Sequence, residues 1–125
     1  MTSAQRTAAL AALLCCSVFA ADAMGARAVK KQLWGAIAYS SKTGAYGYAV
    51  DKKAKRDAEA EAFRQCGADC NVIKSFRNSC GAVAERDRRF SFSLGATRQI
   101  AEQKALEKCA SGACKIAVWA CTSEK

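Results

Sequence analysis

The stretch Ala58-Glu59-x-x-Ala62-Phe63-x-x-Cys66 returns later in the chain as Ala101-Glu102-x-x-Ala105-Leu106-x-x-Cys109. Ahead of the two copies stand Gly35-Ala36-Ile37-Ala38 and Gly81-Ala82-Val83-Ala84. Behind them stand Cys70-x-Val72 and Cys114-x-Ile116. One motif is written twice, with half-cystines in register. That pattern speaks to architecture and redox environment, and it leaves the chemistry open.

Within each copy the hydrophobic period changes. Residues 33–39 read as a strand in which Gly35 permits close backbone approach. Residues 40–44 carry turn chemistry, and Tyr46, Tyr48 and Val50 alternate onto one face of a second strand. Asp51 is the expected helix N-cap. Ala54, Ala58, Ala62 and Cys66, joined by Phe63, then recur at helical spacing, and Gly67 ends the helix. Residues 71–76 form a third strand. The unit restarts with a strand at 80–84, a charged turn at 85–89 and the alternation Phe90, Phe92, Leu94. Thr97 caps a second helix over 98–109, whose stripe is Ala101, Ala105, Leu106 and Cys109, and 115–120 is the last strand. The expected fold is α+β: two β-β-α-β repeats, 33–76 and 80–121, related by a pseudo-twofold axis. An antiparallel sheet carries both helices in this expectation, and disulfides staple the whole. The aromatics Tyr46, Tyr48, Phe90 and Phe92 are expected in the core, with a stacking platform as the rival use.

The first residues read as an export signal. Arg6 supplies a weak positive region, and residues 8–21 are an unbroken run of small and apolar side chains. A small-x-small pattern at Ala21-Asp22-Ala23 places cleavage after residue 23, or as late as 28. Fourteen helical residues would span only about 21 Å, short of the ~30 Å hydrocarbon core, which argues against a membrane anchor. Cys15 and Cys16 do not follow a small residue, as a lipobox cysteine would. Residues 24–32 are expected to be a flexible mature N-terminus, and 33–122 a single domain. The expected location is the periplasm or the cell exterior.

A domain of about 100 residues has a marginal core without staples. The mature chain keeps six cysteines, Cys66, Cys70, Cys80, Cys109, Cys114 and Cys121. In an exported small domain these read as a disulfide framework. Zinc is the rival, but the chain has no histidine, and an oxidising compartment favours bridges over thiolate ligands. No metal and no cofactor is expected. Of the fifteen possible connectivities, those with Cys70–Cys80 or Cys114–Cys121 fall away. Extended segments would hold these pairs about 30 and 20 Å apart, and a bridge needs about 7 Å or less. Among those left, the repeat favours Cys66–Cys70 and Cys109–Cys114 at the helix ends, with Cys80–Cys121 stapling the two halves together. A cross-repeat set such as Cys66–Cys109 stays open.

The search for catalytic chemistry finds little. Histidine, the commonest general base, is absent, and bridged cysteines offer no thiolate. Glu59 and Glu102 hold matching helix positions and can be imagined as an acid/base pair, but surface pairing with Lys and Arg is the plainer use. Lys42-Thr43-Gly44 matches a penicillin-binding-protein element whose nucleophile motif this chain lacks. Net charge is +9, a balance that suits anionic partners. Two basic clusters could carry binding: Arg86, Arg88 and Arg89 on the charged turn, and Lys52 and Lys53, with Lys55 and Arg56, at a helix start where the macrodipole opposes them.

Trp34 to Ser40, Thr43-Gly44-x-Tyr46-Gly47-Tyr48, the run from Ala58-Glu59 to Cys66, Cys70, Cys80 to Ala84 and the tail from Thr97 to Thr122 together resemble the bacterial domain-of-unknown-function family 4189. The resemblance covers residues 33–122. It implies a small exported bacterial protein and brings no established activity or catalytic residue. The expected function is non-enzymatic binding of an unidentified partner, a protein rather than lipid or polysaccharide, in an inhibitor or immunity role. The alternative is charge-driven binding of anionic envelope lipid, polysaccharide or nucleic acid.

Overall fold

The computed structural model describes residues 31–109 and 112–123. The expected signal segment, 1–23, and residues 24–30 of the expected N-terminal arm lie outside the described residues. The elements run β1 (Trp34–Tyr39), β2 (Tyr46–Lys52), α1 (Lys55–Cys66), β3 (Val72–Arg77), β4 (Cys80–Arg86), β5 (Arg89–Gly95), α2 (Arg98–Cys109) and β6 (Lys115–Cys121).

The fold is α+β, but the single sheet expected from the sequence is two. The strands form two antiparallel three-stranded sheets, ordered β2-β1-β3 and β5-β4-β6. The reason lies in the central strands, which are apolar on both faces. On β1, Ala36 and Ala38 pack against Ala58 and Ala62 of α1. On β4, Ala82 and Ala84 pack against Ala101 and Ala105 of α2. The opposite faces of these strands send Ile37, Tyr39 and Val83 into one cluster with Phe76, Val118 and Ala120. Neither central strand can face water, so the sheets stack and the helices cover the outside. The layers are helix, sheet, sheet, helix.

Small residues set how close the helices lie. A β-carbon at Gly47 would collide with the Ala62 carbonyl and stand 2.5 Å from the Cys66 nitrogen. Only glycine fits there. Between the sheets the order is reversed, and one large ring dominates. Phe76 lies over both Gly35 and Gly81, where an added methyl would meet that ring. Burying it stabilises the sheet interface by about 2–3 kcal/mol.

Several local expectations are corrected by these contacts. Phe63 and Leu106, expected on the buried stripes, sit on the helix flanks and are 42% and 37% exposed. Beneath the helices lie only small side chains, Ala58, Ala62 and Cys66 under α1 and Ala101 and Ala105 under α2. Tyr46 and Tyr48 are also exposed, whereas Phe90 and Phe92 pack against the central cluster. Asp51 is no helix cap. It lies in β2 with φ 59°, and its carboxylate accepts from the Ser123 amide at 2.7 Å and from the Ser123 hydroxyl. These bonds hold it below the usual carboxylate range. The N-cap of α1 is Ala54, without a side-chain hydrogen bond. Thr97 does cap α2, accepting from the Ile100 amide at 3.2 Å.

Among the described residues three disulfides are present: Cys66–Cys70, Cys109–Cys114 and Cys80–Cys121. The first two tie a helix end to the segment that leads into the next strand. The third differs from its expected role as a staple between halves. Cys80 and Cys121 face one another on neighbouring strands β4 and β6, with α-carbons 4.0 Å apart. The bridge therefore lies within the second sheet. The two sheets are joined by the central cluster, by Tyr39 to Glu85 and by Asp51 to Ser123.

A basic cleft at the hairpin end

The β1–β2 and β4–β5 connections emerge at the same end of the sandwich. The first turn is held by its own backbone, Gly44 donating to the Ser40 carbonyl and Ser40 to the Ala45 carbonyl, both at 2.8 Å. The buried Ser40 hydroxyl accepts from the Thr43 amide at 3.1 Å. Asn71, just ahead of β3, anchors the same turn through Ser41. The second turn is the two-residue loop Asp87-Arg88. Both residues have positive φ, 46° and 67°, the geometry that suits the twist of a hairpin.

Between these turns lies a cleft of about 490 Å³. Lys42, Thr43 and Gly44 form one wall and Arg86, Asp87 and Arg88 the other, with Lys115 closing the side. Tyr39 and Glu85 form the floor, the buried hydroxyl donating to the carboxylate. Burial first, and the Glu85 hydrogen bond second, push the Tyr39 phenol well above its ordinary range. The phenol therefore keeps its proton and serves as a donor, not as a base. The second carboxylate, Asp87, is met by the Arg86 Nε at 3.1 Å. Lys42, Arg88 and Lys115 have no carboxylate within ion-pair distance among the described residues. The cleft thus carries surplus positive charge.

The structure brings some of the sequence candidates together and separates others. Arg86 and Arg88 line the cleft, and Arg89 follows directly on β5. Lys52 and Lys53 do not belong to this site. Lys52 pairs with Trp34, at the far end of β1 from Tyr39, which places it more than about 15 Å away at ~3.3 Å per residue. Lys53 lines a separate hollow with Lys31, Leu33, Asp51 and Ser123. Glu59 and Glu102 lie on α1 and α2 with both sheets between them. Each is paired on its own helix, Glu59 with Lys55 at 3.9 Å and Glu102 with Arg98 at 2.7 Å. Among the described residues no cluster of three or more His, Cys, Asp or Glu is arranged to hold a metal ion, and no helix is long and apolar enough to cross a membrane.

Sequence reasoning missed Tyr39, Glu85, Lys42 and Lys115. A signal for the first two was present. They occupy the same place after the matching runs Gly-Ala-Ile-Ala and Gly-Ala-Val-Ala, and stacking the two central strands brings them into contact.

Residues 34–121 match the model of a domain of unknown function, DUF4189, and the chain belongs to that family. Among its relatives, protein Rv1269c of Mycobacterium tuberculosis is 42% identical over 90 residues, which cover 71% of this chain and 69% of the relative. The uncharacterized protein Rv1813c of the same organism is 37% identical over 89 residues, covering 70% and 59%. The NMR structure of Rv1813c superposes with a TM-score of 0.61 at 26% identity, over 97% of each chain.

Proposed function

We propose that this chain is an exported, disulfide-stapled binding protein without a catalytic role. In this reading it is built of two β-β-α-β units about a pseudo-twofold axis and acts in the periplasm or outside the cell. Its basic hairpin end engages an acidic surface of a protein partner, as an inhibitor or immunity protein would. The observation that supports this most is the charge balance of the cleft. Its two carboxylates already have partners, Tyr39 and Arg86, while Lys42, Arg88 and Lys115 are left to act outward. Lys42 sits on an internally hydrogen-bonded turn, Arg88 on a tight hairpin loop and Lys115 on strand β6, so little flexibility is lost when a partner binds.

Affinity capture with the oxidised chain and with the R86E/R88E/R89E variant tests the reading. The variant should lose the protein that the parent recovers, and equal recovery overturns the proposal. The charge-driven alternative predicts something different. Binding to lipid, polysaccharide or nucleic acid would collapse as salt rises and would tolerate any single substitution.

A further inference from the structure

A groove of about 370 Å³ runs from the cleft along the side of the sandwich, between β2 and β6. Tyr46, Tyr48 and Val50 line one side and residues 117–121 the other. The two hollows are continuous in the chain. Gly44 and Lys115 border the cleft, and Tyr46 and Ala117, two residues on, border the groove.

The groove exists because one side chain is small. In the first sheet Gly35 pairs with Phe76, and in the second Gly81 pairs with Ala120. Phe76 fills the sheet interface beside β5, so Phe90 and Phe92 are covered. Ala120 offers no comparable ring, and Tyr46 and Tyr48 remain 48% and 45% exposed. The volume of an aromatic side chain is missing on that side.

The neighbouring backbone is also open. Two other edge strands are guarded at their outward groups. The Tyr48 amide donates to Gln65 Oε1 at 3.4 Å, and the Phe92 carbonyl accepts from Lys108 Nζ at 3.2 Å. The β4–β5 hairpin closes on Arg86 and Arg89, so β4 turns alternate residues to β5 and leaves Gly81 and Val83 to bond β6. Trp119 and Cys121 then point their amides and carbonyls outward. No side chain among the described residues caps them, and no charge occurs from Ile116 to Cys121.

We infer that β6 accepts an extended acidic peptide of the partner as an added antiparallel strand along residues 118–121. A bulky apolar side chain fills the gap beside Ala120, and acidic residues reach the Lys42, Arg88 and Lys115 cleft. This rests on the proposed acidic protein partner and names how that partner is held. Charge selects the occupant. A second copy of the chain, also at +9, would bring like charge to the cleft, and the acidic strand brings the opposite. Main-chain pairing supplies affinity and the gap supplies specificity. Ala117 is an extra residue in β6, whose stretch from Ala120 to Lys115 is matched on β4 by Gly81 to Glu85. An added strand therefore covers about 13 Å there, and the apolar anchor stands roughly four residues from the acidic end.

The test uses the oxidised chain and a synthetic peptide of alternating threonine and valine, with phenylalanine near its N-terminus and two glutamates near its C-terminus. Titration followed by amide NMR should perturb residues 118–121 together with Lys42 and Arg88. N-methylation of alternate peptide nitrogens blocks strand pairing without touching the protein, and should weaken binding at least tenfold. Replacing the glutamates by lysine should weaken it as much. Ala120→Phe should fold, as judged by an unchanged spectrum outside the groove, and should lose the peptide. Equal binding of the N-methylated peptide overturns strand addition, as do shifts confined to residues 86–89. In both cases the basic-end reading stands, because the R86E/R88E/R89E capture decides that separately. No shift at millimolar peptide also overturns the inference.

Discussion

The two sheets are each three-stranded and antiparallel, with β1 and β4 as their central strands, and they are closed by different chemistry. Where the first sheet begins, Trp34 pairs with Arg77, and the guanidinium lies 5.6 Å from the indole centroid. At the corresponding place in the second sheet, Cys80 pairs with Cys121 and the contact is covalent. Gly47 lets the first helix touch its strand. Ser91, at the matching position, hydrogen-bonds the Ala105 carbonyl instead. Gln65 guards the Tyr48 amide, and Lys108 guards the Phe92 carbonyl. The same geometric demand is met by packing, by a hydrogen bond or by a bridge, whichever side chain is at hand. What does change is the middle, where Phe76 fills one side and Ala120 leaves the other unfilled. Similar frames tolerate different fastenings, and a difference in volume creates a surface feature.

The sharpest way to break this comparison is to remove both fastenings at the sheet ends. The Cys80–Cys121 bridge spans 41 residues, and losing it as the double alanine variant should cost about 4 kcal/mol in the chain-entropy model. Arg77→Ala removes an exposed cation–π contact and should cost about 0.5–1 kcal/mol. Urea titrations of the two variants check this, and equal losses would show that the positions do not play unequal roles. A smaller effect is expected at the helix contacts. Gly47→Ala forces the α1 backbone away and should cost about 1–3 kcal/mol, whereas Ser91→Ala loses one hydrogen bond, worth about 1 kcal/mol. Equal midpoints for these two would remove the distinction between close packing and bonding.

The smallest effect concerns the link between the halves and depends on pH. Tyr39 has its phenol pushed above the ordinary value of 10.0 by burial and by Glu85. A raised folded value means that the stabilisation is complete below pH 10 and is lost as pH climbs through the folded value. Stability of the parent should therefore fall above about pH 10, while Tyr39→Phe, lower by about 1 kcal/mol at neutral pH, should not show that fall. Parallel alkaline profiles for the two proteins would deny Tyr39 this role.

Much of the frame was legible because it is local. The alanine stripes and the helix stop at Gly67 depend on neighbours a few residues away, and so do the two helix-end bridges, Cys66–Cys70 and Cys109–Cys114. Cys80–Cys121 was expected as a pair, but as a staple between halves and not within one sheet. The stacking of two sheets was harder to see. Its signal was the absence of polar alternation in Gly-Ala-Ile-Ala and Gly-Ala-Val-Ala, the mark of strands buried on both faces. Asp51 looked like a cap because capping is a local propensity. Ser123, 72 residues away, claims it instead. Alternation showed that Tyr46 and Tyr48 share a face, but their cover is decided by the size of Ala120 on another strand. The arginine turn was visible as a cluster. Its union with Lys42 and Lys115 exists only once both hairpin ends are stacked.

The hollow lined by Lys31, Leu33 and Ser123 brings the first and last described residues of the domain to one end, opposite the two turns. The domain is thus built like a plug with its cable at the back. Residues 31 and 123 lie on the side away from the prongs formed by Lys42, Arg86 and Arg88. A tether joined directly at residue 31 or residue 123 should therefore be harmless to binding, and the same length of chain inserted between Asp87 and Arg88 should not.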